Sequence, residues 1–293
     1  MSEEFPLFRQ VTIVGVGLIG GSIGMAIKKN RVAHEVFGLS HRHTSLIYAL
    51  KNNAIDKAFH DIKKSVSSAD LVIMATPVTA IVNLLPTIGR HLKRGCIVTD
   101  VGSTKNLIVE TAEKSLPSAF FVGSHPLAGS EKKGTAFATG DLFQNSLCIM
   151  TPNEKTNRAA EEKVRALWTR LGAHVKTLSP VEHDKVLSYI SHLPHLVAYA
   201  LIGGVPGEYL QYAAQGLKDT TRIAASSPHM WNDICMMNSK NVVQALDELV
   251  KSLSLLRKTI LSKDEQNLTE SFKKSKAKRD AIDGIVTPET GGR

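Results

Sequence analysis

His125 lies in a stretch whose chemistry is unusual for a structural histidine, GSHPLAGSEKKG at residues 123–134. The apolar run AFFVG leads directly into it, and small residues and an acid follow it. Histidine is the side chain whose unperturbed pKa lets it gain or lose a proton between about pH 5 and 8. A loop that carries such a group predicts a functional site at a cleft, where the imidazole exchanges a proton with a ligand.

The second half of the chain carries further groups that suit an anionic ligand. His192 and His195, in SHLPH, are spaced i and i+3 and therefore share one face of a helix. Arg222 and Trp231 lie in KDTTRIAASSPHMW, and the planar fork of arginine can donate two hydrogen bonds to a carboxylate. A zinc site built from His183, His192 and His195 would have no cysteine nearby, so the sequence predicts no metal.

A glycine-rich motif near the N-terminus has the spacing of a dinucleotide site. In VTIVGVGLIGGSIGMAI, Gly15, Gly17 and Gly20 follow a predicted strand and open a predicted helix. Gly15 is expected to make the tight turn, Gly17 to let the backbone approach a pyrophosphate, and Gly20 to let helix and strand pack closely. Since the phosphates would rest on N–H groups of the helix, Leu18 and Ile19 are also predicted cofactor contacts.

The end of the next strand predicts which dinucleotide is preferred. A site for NAD usually carries an acid there, which holds the ribose 2′-hydroxyl. The segment FGLSHRHTS contains no carboxylate, and Arg42 with neighbouring hydroxyls suits a 2′-phosphate. The predicted contacts are Ser40, His41, Arg42 and Ser45. The sequence therefore favours NADP, and NAD is the alternative if Arg42 points to solvent.

Short apolar runs alternate with amphipathic segments over the first 178 residues, and these elements must position the groups above. The predicted strands cover 11–15, 35–39, 71–75, 96–100, 120–123, 147–150 and 174–178. Strands that alternate with helices predict an α/β domain with a mainly parallel sheet of the Rossmann type, covered on both faces. Loops after parallel strands meet at one edge, where open sheets bind ligands. At that edge we expect Thr76, Pro77, Ser103 and His125.

The pattern changes after residue 178. Ser179 is the predicted N-cap and Pro180 the first residue of a long helix, and further helices are predicted over about 236–261 and 263–282. The sequence thus predicts a dinucleotide-binding domain at 1–178, an all-helical substrate and dimerisation domain at 179–286, and a flexible tail at 287–293. Apolar stripes longer than one small domain needs indicate a homodimer through the helical half.

Composition argues against several classes of function. The net charge of +9 is spread widely and only 5% of residues are aromatic, so a small anionic ligand explains the charge better than a nucleic acid. The chain has no run of about 18 apolar residues and no leader pattern, which predicts a cytoplasmic protein that does not span a membrane. Three widely spaced cysteines predict reduced thiols rather than a disulfide framework.

Five motifs together resemble those of the prephenate/arogenate dehydrogenases of tyrosine biosynthesis. They are GVGLIGGS, DVGSTK, GSHPLAGSE, SHLPH and KDTTRIAASSPHMW, and they occur in the order that the family shows. The resemblance extends from about residue 11 to residue 282, and its last three motifs are far more specific than the glycine motif. It implies a nucleotide-binding domain followed by a helical dimerisation domain, in agreement with the predicted elements.

The resemblance also implies a reaction and the roles of individual residues. The reaction is the NAD(P)-dependent oxidative decarboxylation of prephenate to 4-hydroxyphenylpyruvate and CO2. His125 matches the catalytic histidine that accepts the proton of the C4 hydroxyl, and Ser103 matches a serine that bridges this hydroxyl and the cofactor. Arg222 matches an arginine that binds a substrate carboxylate. The remaining matches to the substrate pocket are His192, His195, Ser130, Glu131 and Trp231.

Three other functions fit parts of this pattern. An arogenate dehydrogenase acts on the same ring with an amino group in place of the side-chain keto group. A β-hydroxyacid dehydrogenase also joins a nucleotide domain to a helical one, but it works with a lysine from the helical half. A dinucleotide-sensing regulator would bind the cofactor without turnover.

Overall fold

The computed structural model describes residues 5–128 and 134–284. The chain divides into two compact units, Met1–Ser239 and Lys240–Arg293. In the described part, the first unit holds the whole sheet, the helices around it and a group of further helices that follow. The second unit holds two long helices. The predicted tail at 287–293 lies outside the described residues.

One eight-stranded sheet forms the centre of the first unit. Its strands are β1 (Phe8–Val14), β2 (Ala33–Leu39), β3 (Lys57–Phe59), β4 (Leu71–Met74), β5 (Ile97–Asp100), β6 (Phe120–Pro126), β7 (Leu147–Thr151) and β8 (His174–Thr177). They are arranged in the order β3-β2-β1-β4-β5-β6-β7-β8. All neighbours are parallel except β6 and β7, which are antiparallel. The predicted fold class, a mainly parallel Rossmann-type sheet, is confirmed.

Helices cover both faces of this sheet. They are α1 (Leu18–Lys29), α2 (His43–Lys51), α3 (Ile62–Val66), α4 (Val78–Gly89), α5 (Asn106–Ser115) and α6 (Arg158–Arg170). Along β4, Leu71 and Ile73 belong to one buried apolar cluster, whereas Val72 and Met74 belong to a second. Successive side chains of a strand point to opposite faces, so each face of the sheet has its own core.

The helical segment of the first unit begins as the sequence predicts. It comprises α7 (Pro180–Leu187), α8 (Leu193–Gly203), α9 (Gln215–Thr221) and α10 (Pro228–Met237). Ser179 is the N-cap of α7: its hydroxyl accepts a hydrogen bond from the Glu182 backbone N–H, and the Glu182 side chain accepts one from the Ser179 backbone N–H. This reciprocal pair, with Pro180 directly after it, fixes the start of the helix.

The long helix predicted after Pro180 is interrupted by a π-helical turn, Ser188–His192, between α7 and α8. The Leu193 backbone N–H donates to the Ser188 carbonyl, five residues back instead of four. Pro194 follows directly, and a proline can neither donate a backbone hydrogen bond nor pack closely against the carbonyl four residues before it. The wider turn therefore coincides with the position where regular α-helical bonding fails.

In the described part, the second unit holds α12 (Glu265–Gly284) and all but the first residue of α11 (Ser239–Leu261). Several large apolar side chains of these helices are exposed, including Val250, Leu253, Leu255, Leu261 and Phe272.

One described helical stretch, 180–203, is long and apolar enough by length and composition to cross a membrane, a test that core helices also pass. It carries the fully buried side chains of His183 and His192. The absence of a membrane span stays a prediction.

Candidate active site

The glycine-rich turn after β1 has the geometry that a pyrophosphate needs. Gly15 adopts φ +95°, a conformation that other residues rarely tolerate, and a Cβ on Gly20 would lie 2.0 Å from the Gly15 carbonyl oxygen. At Gly17 an added Cβ would meet no atom within 4 Å, so the backbone borders open space. This space lies at the start of α1, where free N–H groups favour an anion. The turn therefore fits the diphosphate of a dinucleotide.

A cavity of about 470 Å³ continues from this turn along the carboxyl ends of β4 and β5. Gly17, Leu18, Ile19, Thr76 and Pro77 line it, as do Ser103 and His125. The Thr76 hydroxyl is buried and lacks a hydrogen-bond partner among the described residues. An unsatisfied buried hydroxyl in a cavity wall fits a site that binds a polar ligand. Of the predicted cofactor contacts, five thus line the cavity.

The predicted contacts at the end of β2 do not line this cavity. His41 and Arg42 are exposed, and the Ser40 hydroxyl accepts a hydrogen bond from the Arg42 backbone N–H at 3.1 Å. His60, which the sequence did not suggest, donates from Nδ1 to the Ser40 carbonyl at 2.7 Å. Because His60 directly follows β3, this hydrogen bond connects the turn to the end of β3. The turn also lies beside the glycine motif, since the Gly15 N–H donates to the carbonyl of Leu39.

His125 lies within a strand and not in the loop that the sequence predicts. Residues 123–126 continue β6 because β7 pairs with them in antiparallel register, with His125 opposite Ile149. The side chain is only 8% exposed, yet it lines the cavity. A strand holds an imidazole more rigidly than a loop does, so the ring has a defined position at the cavity wall.

His183 is a polar partner of His125. Its Nε2 lies 2.9 Å from His125 Nδ1, and its own Nδ1 lies 2.8 Å from Asp184 Oδ1. All three side chains are buried. No local signal in PVEHDK marks this pair, because its burial depends on residues more than fifty positions earlier in the chain.

A second cavity of about 450 Å³ adjoins the first. Its walls include His195, Arg222 and Trp231, together with Ser103 and His125, which line both cavities. The His195 and Trp231 rings stack with their centroids 3.6 Å apart, and His195 Nδ1 donates to the Ser191 carbonyl at 3.0 Å. The remaining lining is largely apolar: Leu127, Leu187, Ile190, Ile223, Met230 and Ile234.

His192 does not line the second cavity, although the sequence places it on one helix face with His195. Its ring is fully buried, 6.1 Å from the Trp231 ring, and its Nδ1 lies 3.2 Å from the amide nitrogen of Asn238. Burial lowers the pKa of His192 to about 4, so the ring is neutral at pH 7. The structure therefore puts His192 behind the cavity wall, next to Trp231.

A buried ion pair lies next to the strand residues that lead to His125. The Lys105 ammonium contacts the Asp100 carboxylate and donates to the Ser124 carbonyl at 2.9 Å. Asp100 also accepts the backbone N–H groups of Gly102 and Ser124, at 2.8 and 3.2 Å. These bonds join the ends of β5 and β6, directly before His125. Burial holds the pKa of His125 well below 6.5, and the nearby His183 and Lys105 lower it further.

Ser130 and Glu131, predicted to line the substrate pocket, lie outside the described residues. Within the residues that the structure describes, no group of three or more His, Cys, Asp or Glu side chains is arranged to hold a metal ion.

Sequence comparison identifies the class of protein to which these two cavities belong. The sequence model described as prephenate dehydrogenase, nucleotide-binding domain, matches residues 23–177, and the one described as prephenate dehydrogenase, dimerization domain, matches 179–274. The chain belongs to the prephenate dehydrogenase family. The resemblance seen in the five motifs is confirmed, and the match to the nucleotide-binding domain agrees with a nicotinamide dinucleotide cofactor.

Individual members of the prephenate dehydrogenase family align over nearly the whole chain. The prephenate dehydrogenase of Bacillus subtilis is 39% identical over 280 residues, which are 93% of this chain and 76% of that protein. The cyclohexadienyl dehydrogenase of Zymomonas mobilis is 35% identical, over 94% of this chain and 97% of that protein. A crystal structure of the Aquifex aeolicus prephenate dehydrogenase, in complex with hydroxyphenyl propionate and NAD+, superposes with a TM-score of 0.88 at 34% identity. That comparison covers 96% of this chain and all of the other.

Proposed function

We propose that this chain catalyses the oxidative decarboxylation of prephenate to 4-hydroxyphenylpyruvate and CO2. The observation that carries the proposal is the meeting of two cavities at Ser103 and His125. One cavity begins at a turn that fits a diphosphate, and the other contains an arginine, an aromatic stack and apolar walls. A dinucleotide and a cyclic carboxylate can therefore lie side by side, with the imidazole between them.

The residues at this junction suit the chemistry of the reaction. His125 is neutral at pH 7 because burial lowers its pKa, so it can accept the proton of the C4 hydroxyl. Ser103 lines both cavities, which supports a hydrogen bond from it to the same hydroxyl. When bound, the nicotinamide supplies the hydride acceptor for C4. Loss of the ring carboxylate as CO2 then makes the ring aromatic, which drives the reaction forward.

A spectrophotometric assay tests the proposed function. Purified protein is mixed with prephenate and NADP or NAD, and the absorbance of the reduced nicotinamide and the release of CO2 are followed. We expect turnover with prephenate. A parallel assay with arogenate determines whether the enzyme prefers the substrate with the keto side chain or the one with the amino side chain. Dinucleotide binding without turnover on either substrate would instead indicate a sensing regulator and would refute the proposal.

Arg222 is proposed to bind a carboxylate of the substrate, because it lines the second cavity at its exposed side. In Arg222→Gln the KM for prephenate should rise by about 10- to 100-fold, the effect of losing one charge-assisted hydrogen-bond pair. The kcat should change much less, since the reacting atoms lie at His125. Arg257→Gln, on α11, is the matched control and should leave KM unchanged. An unaltered KM in Arg222→Gln would exclude this role.

We further propose that NADP is the preferred cofactor. Residues 40–45 carry no carboxylate, and the exposed Arg42 lies beside Ser40 at the end of β2. Arg42→Ala should raise the KM for NADP by about tenfold, as expected for one lost contact to the 2′-phosphate, and should leave the KM for NAD nearly unchanged. Arg94→Ala is the control, at an exposed arginine three residues before the start of β5. A lower KM for NAD than for NADP in the parent protein would contradict the proposal.

A homodimer through the helical half is the proposed assembly. The dimerization-domain match at 179–274 supports it, as do the exposed apolar side chains of α11 and α12. A cytoplasmic location and the absence of a nucleic-acid partner stay predictions.

A further inference from the structure

A line of three buried side chains leads from the cavity junction into the protein. His125 Nδ1 lies 2.9 Å from His183 Nε2, and His183 Nδ1 lies 2.8 Å from Asp184 Oδ1. The two imidazole rings are 5.1 Å apart between centroids and inclined at 60°. His183 is fully buried and Asp184 is 3% exposed, so water does not compete for these bonds.

We propose that His183 and Asp184 are positioning residues that fix the tautomer of His125, with its proton on Nδ1 and the lone pair on Nε2. The tautomer follows from the hydrogen bonds between the carboxylate and two neutral rings. Its use, to present Nε2 to the C4 hydroxyl of the substrate, rests on the function proposed above.

The protonation of each nitrogen follows from the acceptor at the end of the line. An ionised carboxylate can only accept, so His183 Nδ1 must carry a hydrogen. Burial lowers the pKa of His183 against the opposing effect of Asp184, so the ring is neutral and its Nε2 carries a lone pair. That lone pair accepts a hydrogen bond from His125 Nδ1. His125, also neutral, is left with an unprotonated Nε2.

The start of α5 fixes the position of the Asp184 carboxylate. Oδ1 accepts the backbone N–H of Lys105 at 2.7 Å, and Oδ2 accepts that of Asn106 at 3.0 Å. N–H groups in the first turn of a helix have no partner within the helix, and a negative charge is stabilised there. In addition, the Asp184 backbone carbonyl accepts a hydrogen bond from the Asn238 side chain at 2.7 Å. The carboxylate therefore has little freedom to turn away from His183.

This arrangement resembles the Ser-His-Asp triad, with one additional residue between the aspartate and the base. In the Ser-His-Asp triad, a buried aspartate bonds directly to the base, selects its tautomer and stabilises its protonated form. Here a second imidazole stands between carboxylate and base. When His125 takes up the substrate proton, its Nδ1–H already has an acceptor in His183 Nε2, so the cation forms beside a preorganised partner.

The tautomer can be measured directly in the parent protein by NMR. The chain has 11 histidines, and in protein labelled with ¹⁵N at the histidine rings the His125 signals are those absent from His125→Asn. We expect His125 Nδ1 to be protonated and Nε2 unprotonated at pH 7. The opposite assignment would overturn the proposal, whatever the activity of the protein.

Kinetics of His183 variants test the consequence. In His183→Leu the Nδ1–H of His125 loses its acceptor, so kcat with prephenate should fall by about 10- to 100-fold with little change in KM. This fall is smaller than the one seen when the aspartate of a Ser-His-Asp triad is replaced, because that aspartate bonds directly to the base. The amide oxygen of His183→Gln can still accept this hydrogen bond, so this variant should retain more of the parent kcat. His91→Leu, a half-buried histidine after α4, is the control.

Asp184→Asn gives a second, independent variant, because it keeps the shape of the side chain and removes its charge. We expect a lower kcat at an unchanged KM. Asp61→Asn is its matched control, since Asp61 also caps a helix by accepting the Lys64 backbone N–H at 2.7 Å. Parent-like kcat in both His183→Leu and Asp184→Asn would overturn the positioning role. A parent protein inactive on prephenate would refute the proposed function only, since the NMR measurement still decides the tautomer.

Discussion

Replacement of His125 by asparagine should lower kcat for prephenate by about 10²- to 10⁴-fold, the usual contribution of a general base. Asparagine is close to histidine in shape and keeps a polar group at the end of β6, but it cannot take up a proton at neutral pH. Because the side chain acts on the C4 hydroxyl in the transition state, KM should change little. Steady-state rates from the absorbance of the reduced nicotinamide measure both constants.

The pH dependence of the parent protein gives a second readout of the same residue. Burial, together with His183 and Lys105, holds the pKa of His125 well below 6.5. The base is active when it is unprotonated, so a lowered pKa moves the acid limb of kcat/KM to a pH below 6.5. We expect a flat profile from neutral pH down to that limb.

An exposed histidine provides the control for this prediction. His34 is an exposed residue of β2 that lines neither cavity, and His34→Asn should retain the parent kcat and pH profile. A His125→Asn protein whose kcat is within a few-fold of the parent would rule out His125 as the base.

Replacement of Lys105 by methionine should lower the free energy of unfolding by about 3–5 kcal/mol, the usual cost of breaking a buried ion pair by removing one partner. Lys105 and Asp100 side chains are both fully inaccessible to solvent. The variant leaves the Asp100 carboxylate with two backbone N–H donors but without a neutralising charge. Urea unfolding at one fixed protein concentration measures the change.

Two further variants separate the loss of a charge partner from a loss of packing. Adding Asp100→Asn to Lys105→Met removes the unpaired charge and should recover part of the stability. Lys155→Met removes a partner from the exposed pair with Glu113 and should leave the urea midpoint nearly unchanged. If Lys105→Met were no less stable than Lys155→Met, the buried pair would not stabilise the fold as described.

Periodicity and motif spacing were sufficient for the fold class and the family. The strand–helix alternation predicts the parallel sheet, and the glycine spacing predicts the open space at Gly17. The strand β3 was missed because Lys57–Phe59 is three residues long and shows no alternation. A short edge strand is recognised by its neighbour β2 and not by its own sequence.

The site was less accessible to sequence reasoning because its decisive contacts are non-local. His125 was expected in a loop, and only the antiparallel pairing with β7 explains why it ends a strand. In the sequence, His183 and Asp184 are indistinguishable from an ordinary polar pair in the first turns of a helix. Their role depends on contacts with His125 and with the start of α5, 58 and 79 residues earlier in the chain. Neither spacing nor composition within the helix carries this information.

The π-helical turn at Ser188–His192 makes chain length a constraint in this segment. Each residue of a regular α-helix advances the chain by about 100°, so two residues nine positions apart, such as His183 and His192, would point in opposite directions. The wider turn changes this angle, and both rings are buried. A turn that closes on the fifth residue back holds one residue more than an α-helical turn, so removing one amino acid here would allow the stretch to return to regular α-helical bonding. The extra residue, and not the type of any one side chain, makes the turn wide.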